Sequence, residues 1–117
     1  MPSYIALISS AEMDWSDPAN EAARDAMMAE YGAFGHAAAA VLRGGSQLYP
    51  AASATTVRVP AGKGSEPMLT DGPFADTKEA LTGYYLMECV DLDEAVAWAA
   101  QIPAAWNGAV EVRPLVP

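Results

Sequence analysis

Two helix-start signals, each preceded by an apolar run of strand length, constrain the fold of this chain more than any other feature. Asp17-Pro18 follows the run at residues 4–8 and is typical of an N-cap with proline in the first helical turn. Residues 91–94, Asp-Leu-Asp-Glu, follow the run at residues 83–90 and have the spacing of a capping box. The sequence therefore predicts two strand–helix units, one in each half of the chain.

The first helix is predicted to run from Asp17 to about Leu42 and to end at Gly44-Gly45. Five apolar side chains recur at steps of three and four and share one face: Met27, Tyr31, Phe34, Ala38 and Val41. Gly32 and Gly35 are predicted to mark a kink or a close approach to the sheet. The second helix is predicted to turn Leu92, Ala95, Val96 and Ala99 inward and to end before Pro103.

Strand-type sequence fills most of the remaining chain. Residues 46–49 form a short candidate, and residues 54–59 alternate and are rich in β-branched side chains, which predicts a half-buried strand. Residues 60–66 contain two glycines and predict a hairpin tip, from which residues 67–70 return. Residues 109–113 alternate cleanly and predict a last strand at a sheet edge.

This order of elements predicts an α+β fold, a ferredoxin-like βαββαβ plan with an inserted β-hairpin. At 117 residues the whole chain, 1–117, is expected to be a single domain. Both helices of such a plan lie on one face of the sheet, and the other face needs a cover. We expect that cover to be a second copy of the chain, in a homodimer that packs sheet face to sheet face.

Composition excludes several partners. Fifteen acidic residues stand against six scattered basic ones, a net charge of −9, whereas nucleic acid requires clustered Lys and Arg. With one histidine and one cysteine, neither a metal nor a cofactor is expected. The chain contains no Ser-His-Asp order, no Cys-His pair and no phosphate-binding glycine loop, so neither hydrolase nor nucleotide chemistry is indicated.

The sequence also predicts a cytoplasmic protein without a membrane partner. Its longest apolar runs, residues 37–42 and 84–87, are far too short to span a bilayer. Residues 1–3 lead directly into strand-like sequence without the pattern of a secretory signal. Cys89 has no cysteine to pair with and is expected to be a small apolar strand residue.

The most specific motif is the run at residues 70–79, Thr-Asp-Gly-Pro-Phe-Ala-Asp-Thr-Lys-Glu. Asp71 can fold its carboxylate onto the following amides, and Gly72 can adopt backbone angles closed to other residues. Phe74 supplies a large apolar anchor, and residues 76–79, Asp-x-x-Glu, predict a one-turn helix with reciprocal capping. So much conformational specification within ten residues indicates a defined loop, either structural or functional.

Residues 70–79, together with 54–58, 83–86, 91–95 and 110–114, resemble the DGPF branch of the YCII-related proteins. This resemblance covers most of the chain. It implies a dimeric α/β barrel and, in bacteria, a frequent association with extracytoplasmic-function sigma factors. It does not imply a settled activity.

YCII-related proteins outside that branch are proposed to use a helix histidine together with an aspartate before a proline. In rough alignment the aspartate position is Ile102, ahead of Pro103, and the histidine position lies near Glu30 or Tyr31. This chain therefore lacks that pair, and His36, about a turn further along the helix, is not an obvious replacement.

The loop at residues 71–79 is the leading candidate site. In a functional interpretation Asp71 is a carboxylate base or hydrogen-bond acceptor, Lys78 holds an anionic group, and Glu79 orients either one. In a structural interpretation Asp71 forms a local turn, Phe74 is core, and Lys78 and Glu79 form an ion pair. Both interpretations remain open from the sequence.

Further candidates are more dispersed. Arg58 and Arg113 are predicted to converge with Glu111 on the open sheet face, where arginines could hold a small carboxylate. Tyr31 and other aromatic residues could line a pocket between helices and sheet, although core packing is the commoner role. His36 is predicted to lie off the core face, exposed to solvent or at an interface.

Two classes of function remain. The first is a homodimeric small-ligand-binding or regulatory domain, linked to a sigma-factor system and binding a small anionic or aromatic ligand at Asp71, Phe74, Lys78, Glu79, Arg58 and Tyr31. The alternative is a cofactor-free enzyme that acts on a small aromatic or carboxylate metabolite, with Asp71 as acid/base. An enclosed cavity that touches Asp71 and Lys78 would favour the enzyme, and a filled core would favour the binding domain.

Overall fold

The structure, a computed structural model, describes residues 1–75 and 77–117. Its fold is α+β, as predicted. Six strands and three helices lie within the described residues. In chain order they are β1 (Ser3–Ala11), α1 (Glu21–Ala37), β2 (Leu42–Gln47), β3 (Thr55–Arg58), β4 (Met68–Asp71), β5 (Glu79–Glu88), α2 (Leu92–Ala99), α3 (Ala104–Asn107) and β6 (Ala109–Pro114). Short 3-10 turns at Pro18–Asn20 and Ala51–Ser53 precede α1 and β3.

Four strands form an antiparallel sheet in the order β2-β5-β1-β6. β1 lies in the interior of this sheet, with Tyr4 opposite both Met87 of β5 and Pro114 of β6. β6 is an edge strand, as its sequence predicts. Within the described residues, β3 and β4 pair with each other in a separate two-stranded hairpin.

The helices cover one face of the sheet. Alternate residues of β1 (Tyr4, Ala6 and Ile8) are buried against them, so this strand is fully buried on one face only. The ring of Phe34 on α1 packs against that of Tyr85 on β5, with centroids 5.1 Å apart. The core is completed by Ala38, Val41, Met87, Cys89, Ala95, Ala99, Ile102 and Ala104.

α1 begins later and ends earlier than the sequence predicts. Asp17 caps the 3-10 turn, where its carboxylate accepts from the amide of Ala19 at 2.9 Å, and the helix then runs only to Ala37. Gly44-Gly45 does not terminate a helix but lies inside β2. A Cβ on Gly45 would lie 2.7 Å from both the carbonyl oxygen of Tyr84 and the ring of Tyr85, so this strand needs glycine to approach β5.

The helix glycines have no such role. Apart from the neighbouring backbone of α1 itself, no described atom lies within 4 Å of a Cβ built on Gly32 or Gly35, so the predicted close approach to the sheet is wrong. α1 is the longest helix in the part of the chain that the structure describes, and no helix there has the length and apolar character needed to cross a membrane.

The capping box of α2 is confirmed. The carboxylate of Asp91 accepts from the amide of Glu94 at 2.9 Å, and that of Glu94 accepts from the amide of Val90 at 2.8 Å. Ala95 and Ala99 face the core, whereas Leu92 and Val96 are each 50% exposed and contradict the prediction. These two residues lie beside an apolar groove along β6, because α2 packs against the edge strand rather than the centre of the sheet.

The β3–β4 hairpin, which we call the arm (residues 55–71), is exposed on both faces. Val57 and Leu69 lie opposite each other and are 58% and 65% exposed, so the predicted half-buried strand is wrong. The molecule measures 47 × 44 × 19 Å. A thickness of 19 Å accommodates little more than one sheet and one helix layer, so the arm extends sideways rather than covering the open sheet face.

Candidate functional site

An open cleft of about 590 Å³ lies at the base of the arm. It is formed where the end of β1, the 3-10 turn at Ala51–Ser53 and the loop before β5 meet. Its lining residues are Ala11, Glu12, Ala51, Ala52, Asp71, Gly72, Pro73, Ala75, Thr77, Lys78 and Ala80. The motif at residues 70–79 thus supplies one wall, and distant segments supply the others.

Local hydrogen bonds hold the cleft walls in place. The Glu12 carboxylate accepts from the backbone amide of Ala51 at 2.8 Å and so joins the end of β1 to the 3-10 turn. Gly72 adopts a φ of +97°, a left-handed conformation that favours glycine, as its position in the motif predicts. Its amide donates to the carbonyl of Ala54 at 2.7 Å, and its own carbonyl accepts from the Thr56 hydroxyl at 2.8 Å.

The walls of the cleft combine small side chains with a few charged groups. Five alanines and a proline line it, which leaves the space open, while Glu12, Asp71 and Lys78 place two carboxylates and one ammonium group around it. Such a mixture of apolar wall and few polar groups is typical of small-molecule sites. The ammonium group can attract an anion, and the carboxylates can accept hydrogen bonds.

The structure brings only two of the predicted site residues into this cleft, Asp71 and Lys78. Phe74 is 76% exposed and lies against Arg58, whose guanidinium carbon is 5.1 Å from the ring centroid, within the range of a cation–π contact. Glu79 begins β5 opposite Ala11 and is exposed. The predicted site residues therefore do not form a single site.

Parts of the structural interpretation of the loop are wrong. Phe74 is not core, because the loop lies beside the arm, away from the helix layer. Glu79 belongs to a strand and cannot close a helical turn, and Asp76, its predicted capping partner, lies outside the described residues. Among the described hydrogen bonds and ion pairs, none joins Asp71 to a following amide and none joins Lys78 to Glu79.

Tyr31 lies elsewhere, on the core side of α1. Desolvation raises the pKa of its hydroxyl, and the nearby backbone amide of Ala104 partly opposes that shift. Desolvation, with a smaller contribution from Tyr31, also raises the pKa of Tyr85. Tyr31 thus packs beside the core rather than in the cleft, and His36 is exposed, as predicted.

Several cleft residues carried no recognisable signal in the sequence. Glu12 follows β1 by one residue, and Ala51 and Ala52 follow a proline, but only the fold brings them next to Asp71. Within residues 1–75 and 77–117, no three His, Cys, Asp or Glu side chains form a group that could hold a metal ion.

The sheet face opposite the helices carries a second surface of interest. Ile5 pairs with Leu86, and Leu7 with Tyr84, which places four large side chains together on this face, all partly buried. We call these four residues the outer patch. At its margin Glu111 and Arg113 of β6 form an ion pair. Arg58, which was expected to join them, lies on the arm instead, because β3 does not enter the main sheet.

These observations define a small α+β domain. It has an antiparallel sheet with helices on one face and an open cleft beside the hairpin. The family model of the YCII-related domain matches residues 10–117, so the chain belongs to the YCII-related family. It is 46% identical over 72 residues to an uncharacterised protein of Rhizobium meliloti (strain 1021). That match covers 60% of this chain and only 56% of the relative, a little over half its length.

Proposed function

We propose that this protein is a homodimeric small-ligand-binding domain and that the cleft at Asp71 and Lys78 is its binding site. The observation that carries this proposal is the cleft itself. Its volume of about 590 Å³ falls within the ~300–1,000 Å³ typical of small-molecule sites. Its walls are made of small side chains, so a ligand can enter without displacing a packed core.

The charges around the cleft favour a small carboxylate ligand with an apolar body. The Lys78 ammonium group can pair with the ligand carboxylate, and Asp71 can accept a hydrogen bond from a hydroxyl or amine on the same molecule. The alanine and proline walls suit an aromatic or short aliphatic portion. Glu12 is engaged by the amide of Ala51 and serves to hold the wall.

Replacement of Lys78 by methionine tests this site. We expect the dissociation constant of a small aromatic carboxylate, with benzoate and 4-hydroxybenzoate as first probes, to rise at least tenfold, because the only cation of the described cleft is lost. Isothermal titration calorimetry measures the constant. Lys63→Met, at the tip of the arm, is the matched control and should leave binding unchanged. Equal losses in both variants, or no binding of these probes by the parent chain, would count against the proposed ligand class.

The alternative, a cofactor-free enzyme with Asp71 as acid/base, would use the same cleft. The cleft is open to solvent, which favours binding over catalysis, because a carboxylate is a more effective base where water is excluded. The enzyme alternative predicts that Asp71→Asn abolishes turnover of a cleft ligand without lowering the melting temperature. Product analysis by mass spectrometry and a parallel thermal scan decide it. A variant that mainly unfolds would assign Asp71 a structural role.

Three features support the homodimer. The outer patch presents four large, partly buried side chains on the sheet face opposite the helices. The chain exposes 8064 Å², whereas a compact monomer of 12.2 kDa is expected to expose roughly 6,100 Å². Its radius of gyration is 16.5 Å, against an expected value of about 13.4 Å. The excess area is close to what an obligate homodimer buries per partner.

The strand order β2-β5-β1-β6, with helices on one face, is the arrangement expected of a ferredoxin-like plan that carries the arm between β2 and β5. We infer that two such sheets pack face to face as a dimeric α/β barrel. Glu111 and Arg113 at the margin of the outer patch can exchange partners across a two-fold axis.

Membership of the DGPF branch is likewise our inference, and it rests on residues 70–79. A role alongside an extracytoplasmic-function sigma factor rests on that resemblance alone. A cytoplasmic location stays a prediction from the sequence.

A further inference from the structure

We propose that Arg58, on the arm, is a positioning residue of the cleft and that it holds the wall at residues 72–75 through its contact with Phe74. This inference rests on the function proposed above and identifies a residue outside the cleft on which the affinity of that same site depends. It follows from the path of the loop that leaves the arm.

The chain reverses direction at Gly72, where it leaves the arm. β4 runs antiparallel to β3, and Gly72 continues that direction by one residue, since its amide donates to the carbonyl of Ala54 at 2.7 Å. The ring of Phe74, two residues further on, nevertheless contacts the guanidinium of Arg58. Arg58 is four residues from Ala54, which is about 13 Å along a strand, so the loop turns back over the arm. The left-handed φ of +97° at Gly72 permits this turn.

Two side chains on one face of β3 hold the returning loop. Thr56 and Arg58 alternate along the strand and therefore point to the same side of the arm. The Thr56 hydroxyl donates to the carbonyl of Gly72 at 2.8 Å. The guanidinium carbon of Arg58 lies 5.1 Å from the centroid of the Phe74 ring, within cation–π range. The loop is thus held at its start by a hydrogen bond and, two residues later, by the ring.

The residues on either side of Phe74 line the cleft. Pro73 and Ala75 belong to its wall, whereas the Phe74 ring is 76% exposed and contacts the arm. A shift of the ring would therefore move the wall with it. Among the described residues the cleft is lined by Lys78 and not by Arg58. The sequence predicted that Arg58 binds a carboxylate directly, but its geometry points to an indirect role that acts through Phe74.

A double-mutant cycle tests this role. Arg58→Gln and Phe74→Leu are each expected to raise the dissociation constant of benzoate about threefold, the effect of one exposed cation–π contact. The double variant should bind no more weakly than the weaker of the single variants, because either change alone removes the contact. Isothermal titration calorimetry measures the constants. Both side chains are exposed, so all three variants should keep the melting temperature of the parent chain.

Two further variants separate positioning from charge. Arg58→Lys keeps the positive charge and can still lie over the ring, so it should restore most of the affinity lost in Arg58→Gln. Lys63→Gln removes one positive charge from the tip of the same arm and should leave the constant unchanged. If Phe74→Leu binds benzoate as tightly as the parent while Arg58→Gln does not, Arg58 acts on the ligand directly and the proposal is overturned. Fully additive losses in the double variant also overturn it.

A measurement on the ligand-free chain separates this inference from the proposed function. Backbone order parameters of Gly72 and Ala75, measured by NMR relaxation, should fall in both single variants. They should stay unchanged in Lys63→Gln. Unchanged order parameters in Arg58→Gln and Phe74→Leu overturn the positioning role, whatever the parent chain binds. A parent chain that does not bind benzoate counts against the proposed ligand class, and a fall in these order parameters then still supports the role of Arg58 in holding the wall.

Discussion

Replacement of Gly108 by alanine is expected to lower the free energy of unfolding by about 3 kcal/mol or more. Gly108 links α3 to β6 and lies close to Ser9 and Ser10 of β1. A Cβ at this position would overlap the carbonyl oxygen of Ser9 and lie 3.1 Å from both Cα and Cβ of Ser10. These obstacles include main-chain atoms of a central strand, so a side-chain rotation cannot relieve them.

Relief of this overlap would require β6 to move away from β1. The register that sets Ala109 opposite Ser9 would then be lost first, and with it the packing of Val110 and Val112 on the core. Urea unfolding at a fixed protein concentration measures the effect. Gly32→Ala is the matched control, since nothing lies within 4 Å of its Cβ, and it should stabilise α1 by up to ~1 kcal/mol. A Gly108→Ala protein as stable as the parent would contradict the close approach.

Truncation of Ile102 to alanine is expected to cost ~2–5 kcal/mol. Ile102 is fully buried, with 0% exposure, in the link between α2 and α3. Its amide donates to the carbonyl of Ala99, and its carbonyl accepts from the amide of Ala105, so the backbone is held from both sides. The surroundings cannot easily collapse into the space left behind, and a cavity remains.

Ile102→Val, which removes a single methylene, provides the graded control and should cost ~0.5–1.5 kcal/mol. Val96→Ala, on a half-exposed position of α2, should cost less than either Ile102 substitution. Similar losses at Ile102 and Val96 would mean that the link between α2 and α3 is not part of the core. In the rough alignment given above, this is the position at which YCII-related proteins outside the DGPF branch are proposed to carry an aspartate, and in this chain an apolar side chain is buried there.

Local signals in the sequence predicted the elements well. The capping box at Asp91 and Glu94 and the left-handed Gly72 appear as expected, because each depends on neighbours within a few residues. The order of strands and helices follows the apolar periodicity for the same reason. The errors fall where distant contacts override local preference, as at Gly44-Gly45, which lies within a strand pressed against β5.

The sequence likewise predicted one part of the candidate site and missed the other. The motif at residues 70–79 pointed to Asp71 and Lys78, and both line one cleft, whereas Phe74 and Arg58 meet on the arm. Nothing in the sequence indicated that Glu12 or Ala51 would form the opposite wall. They line the cleft because the fold places the end of β1 and the 3-10 turn at the same corner of the sheet. Sequence patterns that span a few residues cannot predict such a long-range contact.

The sequence by itself determined where α2 begins, which segments are mostly extended, and that a specified loop follows the hairpin, because caps, glycine angles and side-chain alternation act over a few bonds. Only the tertiary structure decided that the hairpin is an exposed arm, that four large side chains gather on the sheet face opposite the helices, and that alanines from three segments leave a cleft open. Those outcomes depend on which surfaces are left over after β1 and β5 pair and the helices pack. Which surfaces stay exposed is therefore determined by the whole fold rather than by any single element.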